Sequence, residues 1–206
     1  MLLSKFNGAT LRRRLAKLDS TRQLIFGALC CERLVPNYLA FQADAGWGHV
    51  AAVRKGLDLV WASINGLPPN LKDVELATIG CEAAAPTSEV FSSIYVTSAQ
   101  DACFAICCLL DFLKENDVDK IVQVATYGTD SVDLYVQEIE GMASSDPQLE
   151  QKILGHHLMQ RELAQQEADL GTIEAIGHIS VELIQQLKES WSTCGKGNLE
   201  IGGGGN

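Results

Sequence analysis

The chain has 206 residues, 47% of them hydrophobic and 20% charged, and a formal net charge of −10. This length allows one domain with a substantial core, and this composition is typical of a globular protein. Because nucleic-acid phosphates require a basic footprint, the acidic excess argues against nucleic acid as a partner. The first residues lack the apolar run of a signal peptide, and we find no apolar span of about 18 residues, so we expect a cytoplasmic protein without a membrane segment.

The charge is unevenly distributed along the chain. Residues 1–35 hold seven lysines and arginines against two acids, a balance of +5, whereas residues 36–206 hold nine against 24, a balance of −15. We expect the basic segment 12–17 to lie against the acidic remainder of the protein. A small patch that binds phosphate or a membrane surface is the alternative.

The cysteines do not form a disulfide pattern. There are seven, and four of them form the adjacent pairs Cys30-Cys31 and Cys107-Cys108. Neighbouring residues in a helix point in different directions, which does not suit a disulfide framework. We predict reduced thiols that act as small apolar side chains in the core.

Apolar residues recur at helical spacing through most of the chain. The segments 20–35 and 99–113 carry them on nearly every face, which predicts two buried central helices. Between these segments, the stripe from Val50 to Ile64 predicts an amphipathic helix. Pro36 is expected to end or kink the first central helix.

The start of the second central helix carries a capping signal. Ser98-x-x-Asp101 has the spacing of a capping box, in which the first side chain binds a backbone amide of the first turn. We therefore expect Ser98 to be the N-cap. The same motif accounts for Asp101 without a function.

Residues 118–141 allow two interpretations. Val132, Leu134 and Val136 alternate, which is typical of a strand, and a hairpin would turn at residues 127–130. The helical pattern fits more positions of the segment. We prefer one helix and leave the hairpin as the alternative.

The last part of the chain predicts a long C-terminal helix. Its apolar stripe runs from Leu149 to Trp191, with Gly155, Gly171 and Gly177 as positions where the helix could bend or break. The glycines of residues 202–206 predict a disordered tail. The whole pattern predicts an all-α, single-domain multi-helix bundle over residues 1–201.

The segment 31–38, with the sequence CERLVPNY, is the strongest indication of a site. Glu32 falls near the middle of an apolar helix face, where a carboxylate must be paired, neutralised or used. One interpretation is a pocket for a small molecule. Its candidate residues are Glu32, Arg33, Asn37, Tyr38 and Trp47.

The structural interpretation of the same segment, which we favour, is a buried polar cluster. Glu32 would be hydrogen-bonded by a neighbouring helix, and Arg33 and Asn37 would bind carbonyls freed by Pro36. An ion pair between Arg33 and Asp58 also belongs to this expectation.

No motif of a known catalytic or cofactor site occurs in the sequence. Glu174, His178 and Glu182 share a face of the predicted last helix but point away from its apolar stripe, which favours a charge ladder in solvent over a metal site. Cys103 and Cys107 are one turn apart, and two thiols do not complete a zinc site. We predict no catalytic residue, no metal and no cofactor.

Four segments, in the same order over nearly the whole chain, resemble the YjaG-like family, a bacterial family of unknown function. The most specific is CERLVPNY at 31–38. The resemblance implies an all-helical, single-domain cytoplasmic protein, and it implies no reaction, cofactor or partner. The other segments are GLDLVW at 56–61, AQDAC at 99–103 and Gly195-x-x-Asn198-x-x-Ile201.

Two functions remain open. The first is non-enzymatic binding of a protein partner or of a second copy, for which an acidic helical surface is suited, as in an inhibitor or immunity protein. The second is binding or turnover of a small molecule in the pocket around Glu32, Arg33, Asn37 and Tyr38.

Overall fold

The computed structural model describes residues 3–194 and 197–201, with side chains described for 3–190 and 197–201. Within these ranges the regular elements are α-helices, which confirms the predicted all-α class. The predicted disordered tail, 202–206, lies outside them. The helices are α1 (Gly8–Leu15), α2 (Ser20–Ala45), α3 (Val50–Ile64), α4 (Leu71–Ala84), α5 (Val96–Glu115), α6 (Val118–Ile139), α7 (Leu149–Gly155), α8 (His157–Ala175) and α9 (Val181–Cys194).

The helices α2 and α5 form the centre of the bundle. They pack against each other, and between them they contact α3, α4, α6, α8 and α9. Both carry buried residues on nearly every face. The prediction of two buried central helices is confirmed.

The helix α2 continues through Pro36, so of the two predicted effects the helix end is wrong and the kink stays a prediction. Pro36 has no N–H for the carbonyl of Glu32, and its ring disturbs the helix there. The backbone N–H of Asn198 donates to the neighbouring carbonyl, that of Arg33, at 3.1 Å. Contacts from another part of the chain thus support the helix where its own sequence weakens it, and it ends only at Gly46 with a φ of 62°.

The helix α5 begins at Val96, two residues before the predicted capping box. Ser98 therefore lies inside the first turn, and its Oγ donates to the carbonyl of Tyr95 at 3.0 Å. The interpretation of Ser98 and Asp101 as a capping box is wrong. The position of Asp101 needs another explanation.

Residues 118–139 form the single helix α6, so the preferred interpretation is confirmed and the hairpin is wrong. The predicted long C-terminal helix is instead divided into α7, α8 and α9. The chain leaves the helix at His156, whose Nδ1 accepts from the amide of Leu158 and caps α8. It leaves it again around Gly177, whereas Gly171 lies within α8.

The basic segment lies against acidic residues of α6 and α8, as predicted. Arg12 Nε is 2.5 Å from Asp119 Oδ1. Arg14 binds two carboxylates of α8, those of Glu167 at 2.6 Å and Glu174 at 2.8 Å. The charges of Arg12 and Arg14 are therefore paired within the protein.

The six cysteines with described side chains are free, and five of them are buried. Burial raises the pKa of Cys30 to about 12 and that of Cys108 to about 11. Both therefore stay protonated at neutral pH. This agrees with the prediction of reduced thiols in the core.

Two helices are long and apolar enough to cross a membrane by length and composition, namely α2 and α5. The prediction that no such span exists is therefore wrong on these two measures. The most apolar 18-residue window of α2 is 78% buried inside the protein, and that of α5 is 67% buried. A central core helix and a membrane helix share this composition.

Candidate functional site

The strongest polar feature of the interior is the Arg33 cluster, formed by Arg33, Glu162 and Asp169. Arg33 Nε and Nη2 donate to the two oxygens of Glu162, each at 3.1 Å, and Nη1 donates to Asp169 Oδ2 at 2.5 Å. The three side chains are 1%, 2% and 9% exposed. Burial alone would lower the pKa of Arg33, but the two carboxylates outweigh it and raise this pKa. The arginine therefore stays charged inside the protein.

The helix α8 presents both carboxylates on one face, because Glu162 and Asp169 are seven residues, or two turns, apart. Between them, Gln166 Nε2 donates to Glu162 Oε1 at 2.8 Å and to the carbonyl of Ala125 at 3.0 Å. On α6, Gly128 leaves the necessary space, since a Cβ there would lie 2.9 Å from Glu162 Oε1. The cluster is thus a hydrogen-bonded joint between α2, α6 and α8.

Asn198, near the end of the chain, extends this joint. Its side-chain oxygen accepts from Asn37 Nδ2 at 2.8 Å, and its Nδ2 donates to Ser131 Oγ at 2.8 Å and to the carbonyl of Gly128 at 2.9 Å. Asn198 is only 2% exposed. One amide therefore ties the C-terminal segment to both α2 and α6.

The residues on either side of Asn198 fit the same groove. A Cβ on Gly197 would lie 2.7 Å from the carbonyl oxygen of Arg33, so the chain approaches α2 as closely as only glycine allows. Leu199 is buried in a second apolar cluster with residues of α6, α7 and α8. Two of the family-like segments, 31–38 and the segment ending at Ile201, therefore meet in space.

Glu32 faces α3 rather than the Arg33 cluster. It accepts from Arg54 Nη1 and from Trp61 Nε1, both at 2.7 Å. The Glu32 side chain is 8% exposed, whereas that of Arg54 is 33% exposed. The expected pair between Arg33 and Asp58 is wrong, because Asp58 lies 3.4 Å from Arg54.

We expect Glu32→Ala to lower the free energy of unfolding by about 1–3 kcal/mol, because the Trp61 indole loses its acceptor. This loss of stability is limited because the Arg54 side chain is partly exposed, so water can solvate its charge when Glu32 is absent. Glu32→Gln keeps an acceptor for Trp61 and should lose less. Chemical denaturation of both variants measures this, and unchanged or higher stability would favour the ligand-pocket interpretation, since a residue kept at the expense of the fold indicates function.

Tyr38 and Trp47 contact neither the Arg33 cluster nor Glu32, and each has its own partners. Tyr38 Oη donates to the carbonyl of Ala84 at 2.8 Å and accepts from the amide of His49 at 2.9 Å, which joins the end of α4 to the start of α3. The half-buried ring of Trp47 packs against Phe91, with 5.0 Å between centroids. Both residues support chain turns.

The five residues predicted to form one pocket thus lie in different environments. Adjacent helix residues differ by about 100° in direction, so Glu32 and Arg33 face different helices. Of the five, Arg33 and Asn37 share a partner in the C-terminal segment: Asn198 binds the backbone carbonyl of Arg33 and the side chain of Asn37. Four surface cavities have volumes of about 370, 560, 440 and 380 Å³, and none of the five residues lines them. This arrangement favours the polar-cluster interpretation, and the pocket stays a prediction.

One buried carboxylate lacks a partner. Within the described part of the chain, no donor contacts Asp101 Oδ2, and the residue is 9% exposed. Burial, assisted by repulsion from Asp130, raises the pKa of Asp101 to about 7. Asp101 therefore changes charge near neutral pH, at a cost to the folded state when it is ionised.

Sequence reasoning missed the two acids of the Arg33 cluster. Both lie on the buried face of α8, where Leu158, Glu162, Asp169 and Ile173 follow one another at intervals of four, seven and four residues. Charged residues within a stripe that packs against the core need an ionic partner. The available signal in the sequence was an arginine within the apolar helix α2 together with two acids on the face of α8 that packs against the core.

The residues considered for a metal site do not converge. Glu174 lies in α8 and binds Arg14, Glu182 lies in α9, and His178 lies between these helices, so they do not share one helix face. Within residues 3–194 and 197–201, no group of three His, Cys, Asp or Glu is placed to hold a metal ion.

Known proteins similar to this chain match it over nearly its whole length. The chain is 26% identical to the uncharacterized protein YjaG of Escherichia coli K12 over 190 residues, which cover 91% of this chain and 94% of that protein. It is 25% identical to an uncharacterized protein of Haemophilus influenzae over 197 residues, 93% and 96% of the two chains. A crystal structure of a DUF416 family protein from Shewanella baltica OS155 matches with a TM-score of 0.84 and 26% identity, over 96% of this chain and 100% of that one.

The family model described as "Protein of unknown function (DUF416)" matches residues 10–202, nearly the whole chain. The relatives named YjaG confirm the resemblance that the sequence segments indicated. The Arg33 cluster and Asn198 lie within the matched region. The chain belongs to the DUF416 family of proteins of unknown function.

Proposed function

We propose that this protein is a non-enzymatic, cytoplasmic interaction protein that acts by presenting a surface to another protein molecule. The observation that carries the proposal is the outward face of α4. Leu76 is 53% exposed and Ile79 is 60% exposed, one turn apart on the same helix. Exposed apolar side chains that adjoin one another are typical of interaction sites.

The contacts of the polar side chains in segment 31–38 also support the proposal. The charged and polar side chains of segment 31–38 contact groups of the protein itself: Arg33 binds two carboxylates, Glu32 binds Arg54, and Tyr38 binds two backbone groups. A catalytic group needs access to substrate and a free position for proton transfer. These side chains are instead suited to holding helices together.

The apolar area of α4 continues at its N-terminal end. Leu71 is 64% exposed, and Leu67, in the preceding loop, is 70% exposed. The opposite face of α4 packs against α3 and α5 through Val74, Ala77 and Cys81. The helix is therefore fixed in place by one face and presents the other.

Photo-crosslinking in intact cells tests the proposal. A benzoylphenylalanine at position 76 should form an adduct of discrete mass, and Ile79→Asp in the same chain should abolish it. Ile139, which is 43% exposed at the end of α6, is the matched control position. Equal crosslinking at positions 76 and 139, or none at position 76, would contradict the proposal.

A further inference from the structure

We infer that the occupant of the exposed α4 face is a second copy of this chain, bound through an antiparallel pairing of the two α4 helices. The inference rests on the proposed function and names its partner. It is carried by the order of side chains along the exposed face and by two charges near its ends.

The exposed face of α4 has the spacing of a helix–helix seam. Lys72, Leu76, Ile79 and Ala83 are all exposed and follow one another at intervals of four, three and four residues. This is the spacing at which side chains of one helix stripe interlock with a partner helix. Because the opposite face holds α4 against α3 and α5, the stripe is rigidly presented.

The stripe is symmetric about its own midpoint, between residues 77 and 78. An antiparallel two-fold pairing therefore places Leu76 against the partner's Ile79, and Lys72 against the partner's Ala83. Each contact occurs twice, as a two-fold interface requires. The short Ala83 side chain leaves room for the stem of Lys72.

The charges also favour the antiparallel arrangement. Antiparallel pairing brings Lys72 of one copy close to Glu82 of the other, at both ends of the seam. The exposed Glu75, one turn from Lys72 on its own helix, also comes near the partner's Glu82, so Lys72 lies between two acids. A parallel pairing would bring Lys72 against the partner's Lys72 and Glu82 against the partner's Glu82, which is unfavourable. Neither side chain forms an ion pair or hydrogen bond with another described residue of its own chain.

Sedimentation velocity of the full chain over an about hundredfold concentration range tests the inference, because dimer formation follows mass action. We expect a monomer–dimer equilibrium. Ile79→Asp should raise the dissociation constant at least about 30-fold, as removal of a central apolar contact does. Ile139→Asp, at an exposed site on α6, should leave it unchanged.

A charge-reversal cycle tests the register. Lys72→Glu alone and Glu82→Lys alone should each weaken the dimer about three- to tenfold, since each creates a like-charge contact. The double variant Lys72→Glu/Glu82→Lys should return the dissociation constant close to that of the parent. Additive weakening in the double variant would overturn the antiparallel register.

A zero-length carbodiimide crosslink gives a second readout. Lys72 and Glu82 are separated by about 15 Å along their own helix, which is too far for such a link within one chain. A Lys72–Glu82 crosslink can therefore arise only between copies.

A monomeric chain without this crosslink would overturn the inference. A monomer whose position 76 still crosslinks to a different protein in cells, in an Ile79-dependent way, would overturn the dimer and leave the proposed function in place. A dimer that persists in Ile79→Asp would overturn the α4 interface.

Discussion

Replacing Arg33 with alanine should lower the free energy of unfolding by about 3–5 kcal/mol, the range seen when a buried ion pair loses one member. The reason is that Glu162 and Asp169 would remain buried with no positive partner. Arg33 Nη1 also donates to the carbonyl of Leu29 at 3.3 Å, and this bond would be lost as well. Urea denaturation of parent and variant at neutral pH measures the difference.

The chain contains a matched control for this prediction. Arg14 also binds two acids of α8 that are seven residues apart, Glu167 and Glu174, but its side chain is 26% exposed. Solvent can replace its partners, so Arg14→Ala should cost at most about 1 kcal/mol. Similar losses for Arg14→Ala and Arg33→Ala would show that burial of the Arg33 cluster does not determine its contribution.

Replacing Asp101 with asparagine should have the opposite effect and stabilise the protein above neutral pH. The pKa of Asp101 rises from an ordinary value of 3.8 to about 7 in the folded protein, chiefly because the group is buried. The ionised form therefore costs the folded state about 4 kcal/mol at alkaline pH, at 1.36 kcal/mol for each pKa unit. Asparagine keeps the shape of the side chain without the charge.

The sign of the pH dependence follows from the raised pKa. Between about pH 4 and pH 7 the folded state holds a proton on Asp101 that the unfolded state has lost, so stability falls as the pH rises through this window. The groups of α6 that face Asp101 are Asp130 and Tyr127. The difference in unfolding free energy between parent and Asp101→Asn should grow from near zero at pH 4 to its maximum at pH 8. A difference independent of pH would contradict this assignment.

The fold class was predictable from the sequence because it depends on a repeated signal. Apolar residues at helical spacing over 20–35 and 99–113 are sufficient to indicate two buried helices, and α2 and α5 occupy that place. The choice of a helix for residues 118–139 followed the same rule and is confirmed. A periodic pattern sums many weak contributions, so a single misread residue does not change the result.

The exact helix ends were less predictable because they depend on contacts from distant parts of the chain. Pro36 lies inside α2, where Asn198 supplies a hydrogen bond to the carbonyl of Arg33. The predicted break at Gly155 is where α7 ends, but the apolar stripe from Leu149 to Trp191 gave no sign that the next residue, His156, would cap a new helix. At Pro36 a tertiary contact accompanies a helix that local preference would end, whereas the cap at His156 is a local side-chain contact with Leu158.

The site was predictable in part. Segment 31–38 identified Glu32 as a residue that requires a partner, and the partner, Arg54, is present. The partners of Arg33 were not identified, because a single sequence does not show which of 26 acids lies opposite one arginine. The separation of Glu32 from Arg33 followed from helix geometry alone and could have been deduced, since adjacent residues do not face the same neighbour.

Segment 31–38 holds the helices of the fold together through buried ion pairs, and we propose that function resides on the surface of α4. The most direct test is the triple variant Arg33→Met/Glu162→Gln/Asp169→Asn, which removes the charges of the Arg33 cluster together. It should recover much of the stability lost in Arg33→Ala, because no unpaired buried charge remains. Photo-crosslinking at position 76 in this folded variant is the deciding measurement. We expect the same adduct as in the parent protein, whereas a folded triple variant without the adduct would show that the interior cluster belongs to the functional site.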